Sequence, residues 1–133
     1  MEAAASAEIA VLGWSVVLLL VQVIAQATAA ADLGGTYLLG PRDDARASRN
    51  LAAGRLLRAL KNLLETYPAL VALALALVVT GRTGGIGAAG AWLWLAARLV
   101  YVILYAAGVP VLRTLAWFVS IVGLVMMLIR LMA

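Results

Sequence analysis

Arg58, Lys61, Asn62 and Glu65 are spaced so that, at 3.6 residues per turn, all four fall within about 100° of one helix face. Farther along, Trp94, Arg98, Tyr101 and Tyr105 recur on one helical stripe, and Arg113 is followed directly by Thr114. Four cations (Arg58, Lys61, Arg98 and Arg113) therefore gather with a single acid, Glu65. Two chemistries suit such a set. Glu65 can neutralise Arg98 or Arg58 as a structural tie, with Gln22 and Gln26, aligned with Ser15 on an earlier segment, bonding between helices. Alternatively, an excess of buried positive charge around one space calls for an anionic ligand. Much other chemistry is excluded. The chain has no cysteine and no histidine, which removes disulfides, thiolate nucleophiles, imidazole bases and the common zinc sites.

The elements that must carry these residues are membrane helices. Two thirds of the chain is apolar and 12% is charged, whereas soluble domains run near half apolar and about a quarter charged. About 20 apolar residues cross a hydrocarbon core, and four such spans are legible, at about 9–31, 47–80, 86–107 and 111–131. The first is longer than a signal-peptide core and is followed by further spans. The second is too long for one simple crossing; its first half is basic and its second half apolar. Gly34-Gly35 and Gly40-Pro41 break the chain after the first span, and the glycines between 81 and 87 turn it after the second. Those glycines carry no phosphate-loop pattern. Gly108 and Pro110 end the third helix and begin the fourth, and Pro68 is expected to kink the second. The expected fold is all-α, a single four-helix transmembrane domain over 1–133.

Basic residues set the expected orientation. Arg42, Arg46, Arg49, Arg55, Arg58 and Lys61 lie between the first two spans or early in the second, and Arg113 opens the fourth at the same side. Arg82 and Arg130 are the basic residues of the other side, where Glu2 and Glu8 also stand. The positive-inside rule then puts both termini on the non-cytoplasmic side of a multi-pass protein. The 42–49 stretch reads as contact with lipid headgroups. The aromatic residues lie in apolar spans, so nucleic-acid binding finds no support. Arg98 falls near the middle of its span, a depth at which an ionisable group faces a bundle interior or cavity and has a partner. With so many polar faces on four helices, Ser15, Gln22 and Gln26 are expected to meet a neighbouring subunit.

The stretch Arg55-Leu-Leu-Arg58-Ala59-Leu-Lys61-Asn62-Leu-Leu-Glu65-Thr-Tyr-Pro68 resembles the second-helix signature of the MAPEG family, the membrane-associated proteins in eicosanoid and glutathione metabolism. Arg98-Leu-Val-Tyr101-Val-Ile-Leu-Tyr105 resembles that family's third-helix pattern, and Val111-Leu-Arg113-Thr114 the start of its fourth helix. The resemblance implies a homotrimer in a bacterial-type inner membrane, with glutathione bound between neighbouring subunits near the cytoplasmic face. Arg58, Lys61, Asn62 and Glu65 would hold the peptide ends of glutathione, together with Arg98. Tyr101 and Tyr105 would line the pocket, and Arg113 and Thr114 would stand by the sulfur as the catalytic pair. Arginine suits carboxylates because its fork is bidentate and always charged. A cation beside a thiol favours the thiolate, the nucleophilic form.

The implied activity is that of a glutathione transferase or peroxidase acting on a hydrophobic small-molecule substrate that arrives from the lipid. The chain departs from the family pattern at Thr28, where an arginine is common near this position, at Lys61, and at Trp117, where several enzymes carry tyrosine. The alternative is a non-enzymatic scaffold or lipid-binding protein of the same family. A transporter fits less well, because the polar residues cluster at one end rather than along a path.

Overall fold

The computed structural model describes residues 6–34, 39–40 and 51–133, with the backbone alone at 32 and 33. Within these residues four helices are long and apolar enough to cross a membrane. They are α1 (Ala7–Ala29), α2 (Leu51–Val79), α3 (Gly85–Ala107) and α4 (Pro110–Met132). The basic stretch at Arg42, Arg46 and Arg49, the turn residues Gly35 and Pro41, and the expected start of the second helix at 47 lie outside the described residues.

Local sequence explains the ends. Ser6 caps α1, its side-chain oxygen accepting from the Ile9 amide at 3.3 Å, one of the free donors that every helix start leaves. The α-helix stops at Ala29, slightly short of the expected end, and a 3₁₀ turn (Ala30–Leu33) leads to Gly34 at φ 86°. Helix α2 has 29 residues, about 43 Å at 1.5 Å per residue, against roughly 30 Å of hydrocarbon. One end must project, and the basic first turns are the end suited to do so. The helix runs unbroken through Pro68. The end of α3 is a Schellman motif: Gly108 N–H donates to Tyr105 O and Val109 N–H to Leu104 O, both at 3.0 Å, with Gly108 at φ 77°. Pro110 then opens α4, where a missing N–H costs nothing.

The helices pack as a bundle in which α3 lies most extensively on α4, and α1 on α2. At the α3–α4 crossing Gly90 and Gly123 face each other so closely that a Cβ on Gly90 would meet Gly123 O at 2.5 Å. Small residues at such crossings let backbones approach, which drives association where lipid is as apolar as the side chains. Val11, Leu63, Leu70, Leu77, Trp94 and Met127 form the main core. Ile24, Ile103, Val111 and Phe118 are exposed on the outside, as a hydrocarbon solvent requires.

The polar face of α1 corrects one expectation. Ser15 is fully buried within its own chain, donates to Leu12 O at 2.6 Å and lies 2.9 Å from Tyr67 OH. Its single proton is committed to Leu12, so Tyr67 is the donor across to α1. Gln22 is also buried inside the subunit, at 3% exposure, and Gln26 is half-buried. Ser15 therefore ties α1 to α2 within the subunit, while the Gln22 amide nitrogen is buried without a partner.

The two ends of the bundle are held differently. At the end away from the basic residues, the fully buried Glu8 accepts from Gly84 N–H at 3.0 Å, tying α1 to the start of α3. Arg130 donates to Arg82 O and Thr83 O, while Arg82 donates back to Leu131 O and Ala133 O. The other end holds the candidate site.

Candidate functional site

Three helix segments converge at the basic end: the second to fourth turns of α2, the last three turns of α3 and the first turn of α4. Arg98 lies deepest, about 13 Å inside the C-terminal end of α3 at 1.5 Å per residue. It is 1% exposed. Its Nη1 donates to Asn62 Oδ1 on α2 at 2.9 Å, and its guanidinium carbon stands 4.4 Å from the Tyr101 ring centroid. The buried Nε and Nη2 have no hydrogen-bond partner. A buried cation served by one neutral amide and one ring is under-supplied with acceptors.

From Arg98 a ladder of rings and guanidinium groups runs outward. Tyr101 meets Tyr105 edge-on, with centroids 5.6 Å apart. The Arg113 guanidinium carbon, from α4, sits 4.3 Å over the Tyr105 ring. Arg58, from α2, donates through Nε to Tyr105 OH at 3.2 Å and has its guanidinium carbon 5.9 Å from the same ring. Stacking a guanidinium on an aromatic face costs little hydration and leaves its N–H edge free to bind. Tyr105 thus organises two arginines by different means, one through its face and one through its hydroxyl.

The helical stripe Trp94–Arg98–Tyr101–Tyr105 is in place: the first three are buried and Tyr105 is half-buried. The structure brings Arg58, Asn62, Arg98, Tyr101, Tyr105 and Arg113 together. Lys61, Glu65 and Thr114 are exposed on the flank of the subunit, and the Thr114 hydroxyl donates to Pro110 O of its own helix at 3.1 Å.

Two expectations are corrected here. The cations do not form a buried cluster: Arg98 alone is buried, Arg113 is half-buried, and Arg58 and Lys61 are exposed. Nor does Glu65 tie the site together. No ion pair within 4.0 Å forms among the described residues. Glu65 is near enough to act electrostatically on Arg98 and Tyr101, and no nearer. Arg58 reaches across to Tyr105 on α3 while remaining largely exposed, and pattern along one helix cannot foresee that depth.

Two residues named in the sequence take contacts at the site that the sequence did not foretell. Trp117 packs with Ala59, Tyr101, Tyr105 and Ala116, and its buried indole N–H has no partner. Its position four residues after Arg113 was the available signal. Arg55 donates to Ala106 O at 3.2 Å beside the site.

Arg58, Arg98 and Arg113 thus share one end of the bundle with two tyrosines and with no carboxylate in ion-pair contact. Such a set has capacity left for an anion with several carboxylates. No curated protein and no solved structure gave a match to the chain. The model of the MAPEG family matches residues 9–133, nearly the whole length, and with four membrane-length helices in place the chain belongs to that family.

Proposed function

We propose that this protein is a glutathione-dependent membrane enzyme of transferase or peroxidase type, acting on a hydrophobic electrophile or peroxide. The observation that carries the reading is the buried Arg98 guanidinium with two unpartnered N–H edges, continued outward by Tyr101, Tyr105, Arg58 and Arg113. Glutathione offers two carboxylates, one ammonium and a thiol, which suits three arginines with one acid, Glu65, at the margin. Bound glutathione supplies the sulfur nucleophile, so the absence of cysteine from the chain is no obstacle.

The chain's own residues divide the work. Arg98 and Asn62 offer N–H donors to a carboxylate at depth, and Arg58 and Lys61 offer charge nearer the rim. Glu65 is the acceptor suited to an ammonium. Arg113 is the thiolate partner. It lies near the N-terminal end of α4, where the helix dipole disfavours a cation. Helix stability therefore does not explain its presence, while dipole and guanidinium together favour a thiolate. Thr114 stands beside it as a second catalytic candidate. Lys61, Glu65 and Thr114 lie on the subunit's flank, which supports a homotrimer with each site completed by a neighbour. The positive-inside rule supports both termini on the non-cytoplasmic side of a bacterial-type inner membrane.

The test is calorimetric titration of the detergent-purified chain with glutathione, followed by conjugation of a chloronitrobenzene. Saturable binding with turnover upholds the reading. A second reading, a scaffold holding an anionic lipid, draws on the exposure of Arg58 and Lys61. Co-purified anionic lipid that glutathione does not displace, with no turnover, would put it first.

A further inference from the structure

Every α-helix ends with four carbonyls that lack intrahelical partners. In α3 the Schellman turn satisfies two of them, Leu104 O and Tyr105 O, through the amides of Val109 and Gly108. A third, Ala106 O, accepts from Arg55 Nη1 at 3.2 Å, although Arg55 belongs to the first turns of α2. The same guanidinium lies flat against Gly108. A Cβ there would stand 2.8 Å from its Cζ and Nη2. Gly108 is thus required twice, for its left-handed φ of 77° and for the space its missing side chain leaves to Arg55. A cation at this point also meets the negative end of the α3 dipole.

The clamped turn connects the two residues at the centre of the site. Tyr105 is in the last turn of α3 and Arg113 is three residues past Pro110, the first residue of α4. Their stacking at 4.3 Å depends on the path between them. We propose that Arg55 is a positioning residue: by clamping the turn at 106–108 from α2, it holds Tyr105 and Arg113 in register and thereby governs the reactivity of the site without touching ligand. Its functional half rests on the enzyme reading above; its geometric half does not.

The experiment uses the full chain in detergent, with Arg55→Gln, Arg55→Lys and Gly108→Ala. The first readout needs no ligand. Amide hydrogen exchange followed by mass spectrometry should accelerate about tenfold across 104–113 in Arg55→Gln, the scale of one lost hydrogen bond to a charged group, while 86–100 and 118–130 keep their rates. Arg55→Lys retains a charged donor and should fall between. Gly108→Ala should reproduce the Arg55→Gln pattern, because its Cβ displaces the guanidinium. If Arg55→Gln does not fold, Arg55→Lys carries the test.

The second readout is glutathione kinetics. In Arg55→Gln, kcat should fall about tenfold with KM for glutathione within about twofold, and the pH–rate profile should move to higher pH as the thiol loses its ordered cation. Unchanged exchange at 104–113 overturns the clamp. A raised KM with constant kcat overturns it in favour of a ligand contact. If the unsubstituted chain neither binds nor turns over glutathione, the enzyme reading falls, and faster exchange in Arg55→Gln still upholds the clamp.

Discussion

The arginines of the site differ in what holds them, and that difference predicts different defects. Arg113 is stacked on a ring with its N–H edge free, so on the proposed reading its loss would remove a charge-assisted contact to the sulfur and little else. Arg113→Leu should lower turnover severalfold to about a hundredfold while glutathione binding falls much less, the scale of about 1.5–3 kcal/mol for such a bond. Arg58→Leu should do the reverse and weaken binding first. Titration and conjugation rates on the same two preparations check both; equal, small effects of Arg113→Leu on the two quantities would remove its catalytic role. Glu65 is exposed and without an ion pair, so it resembles a surface position whose substitution stays within about 0.5 kcal/mol of neutral. Glu65→Gln should leave the melting temperature nearly unchanged and lower glutathione affinity. A large loss of stability instead would show that a neighbouring subunit supplies its missing cation.

At the scale of the helices, backbone approach decides stability more than side-chain polarity. A methyl on Gly123 would sit 2.6 Å from Gly90 O and 2.9 Å from Trp94 N, and both are backbone atoms that no rotamer change can move. Gly123→Ala should therefore cost at least the upper end of the roughly 1–3 kcal/mol typical of overpacking. Gly13, on the exposed face of α1, has nothing within 4 Å of its missing Cβ. Gly13→Ala should be neutral or stabilising by up to about 1 kcal/mol through helix propensity. Thermal unfolding of the two variants in one detergent provides the comparison, and similar melting points would show that α3 and α4 are not clamped at this crossing. The Tyr67–Ser15 bond between α2 and α1 is worth less, about 0.6 kcal/mol on average for polar contacts within membranes.

Across the whole molecule, the two ends of the bundle carry separate duties. Helix α3, about 34 Å long at 1.5 Å per residue, separates the Glu8–Gly84 tie from Gly108 and the arginine ladder. Glu8→Ala leaves the Gly84 amide without its acceptor and should lower the melting temperature with glutathione affinity unaltered. Parallel melting and titration of that variant check the separation; a matching fall in affinity would mean that the ends communicate. Assembly is tested by native mass spectrometry, where a homotrimer is expected.

Class, span count and the shared face of Arg98, Tyr101 and Tyr105 were legible in the chain itself. Membrane length and helical period are local properties, and an arginine three and seven residues before two tyrosines must share a face with them whatever surrounds it. Gly108 followed by Pro110 marked the α3–α4 turn for the same reason. Partnership was not legible. Arg98 reaches Asn62 rather than Glu65, Arg58 reaches Tyr105, and Ser15 reaches Tyr67 across 52 positions. Glu8 looked like a charge at the membrane edge and is instead a buried acceptor for an amide 76 residues away. Arg55 looked like one more cytoplasmic cation and is the cap of a helix it does not belong to. Sequence period tells which face a residue occupies; how deep that face lies, and which backbone stands opposite, is set only when the helices cross.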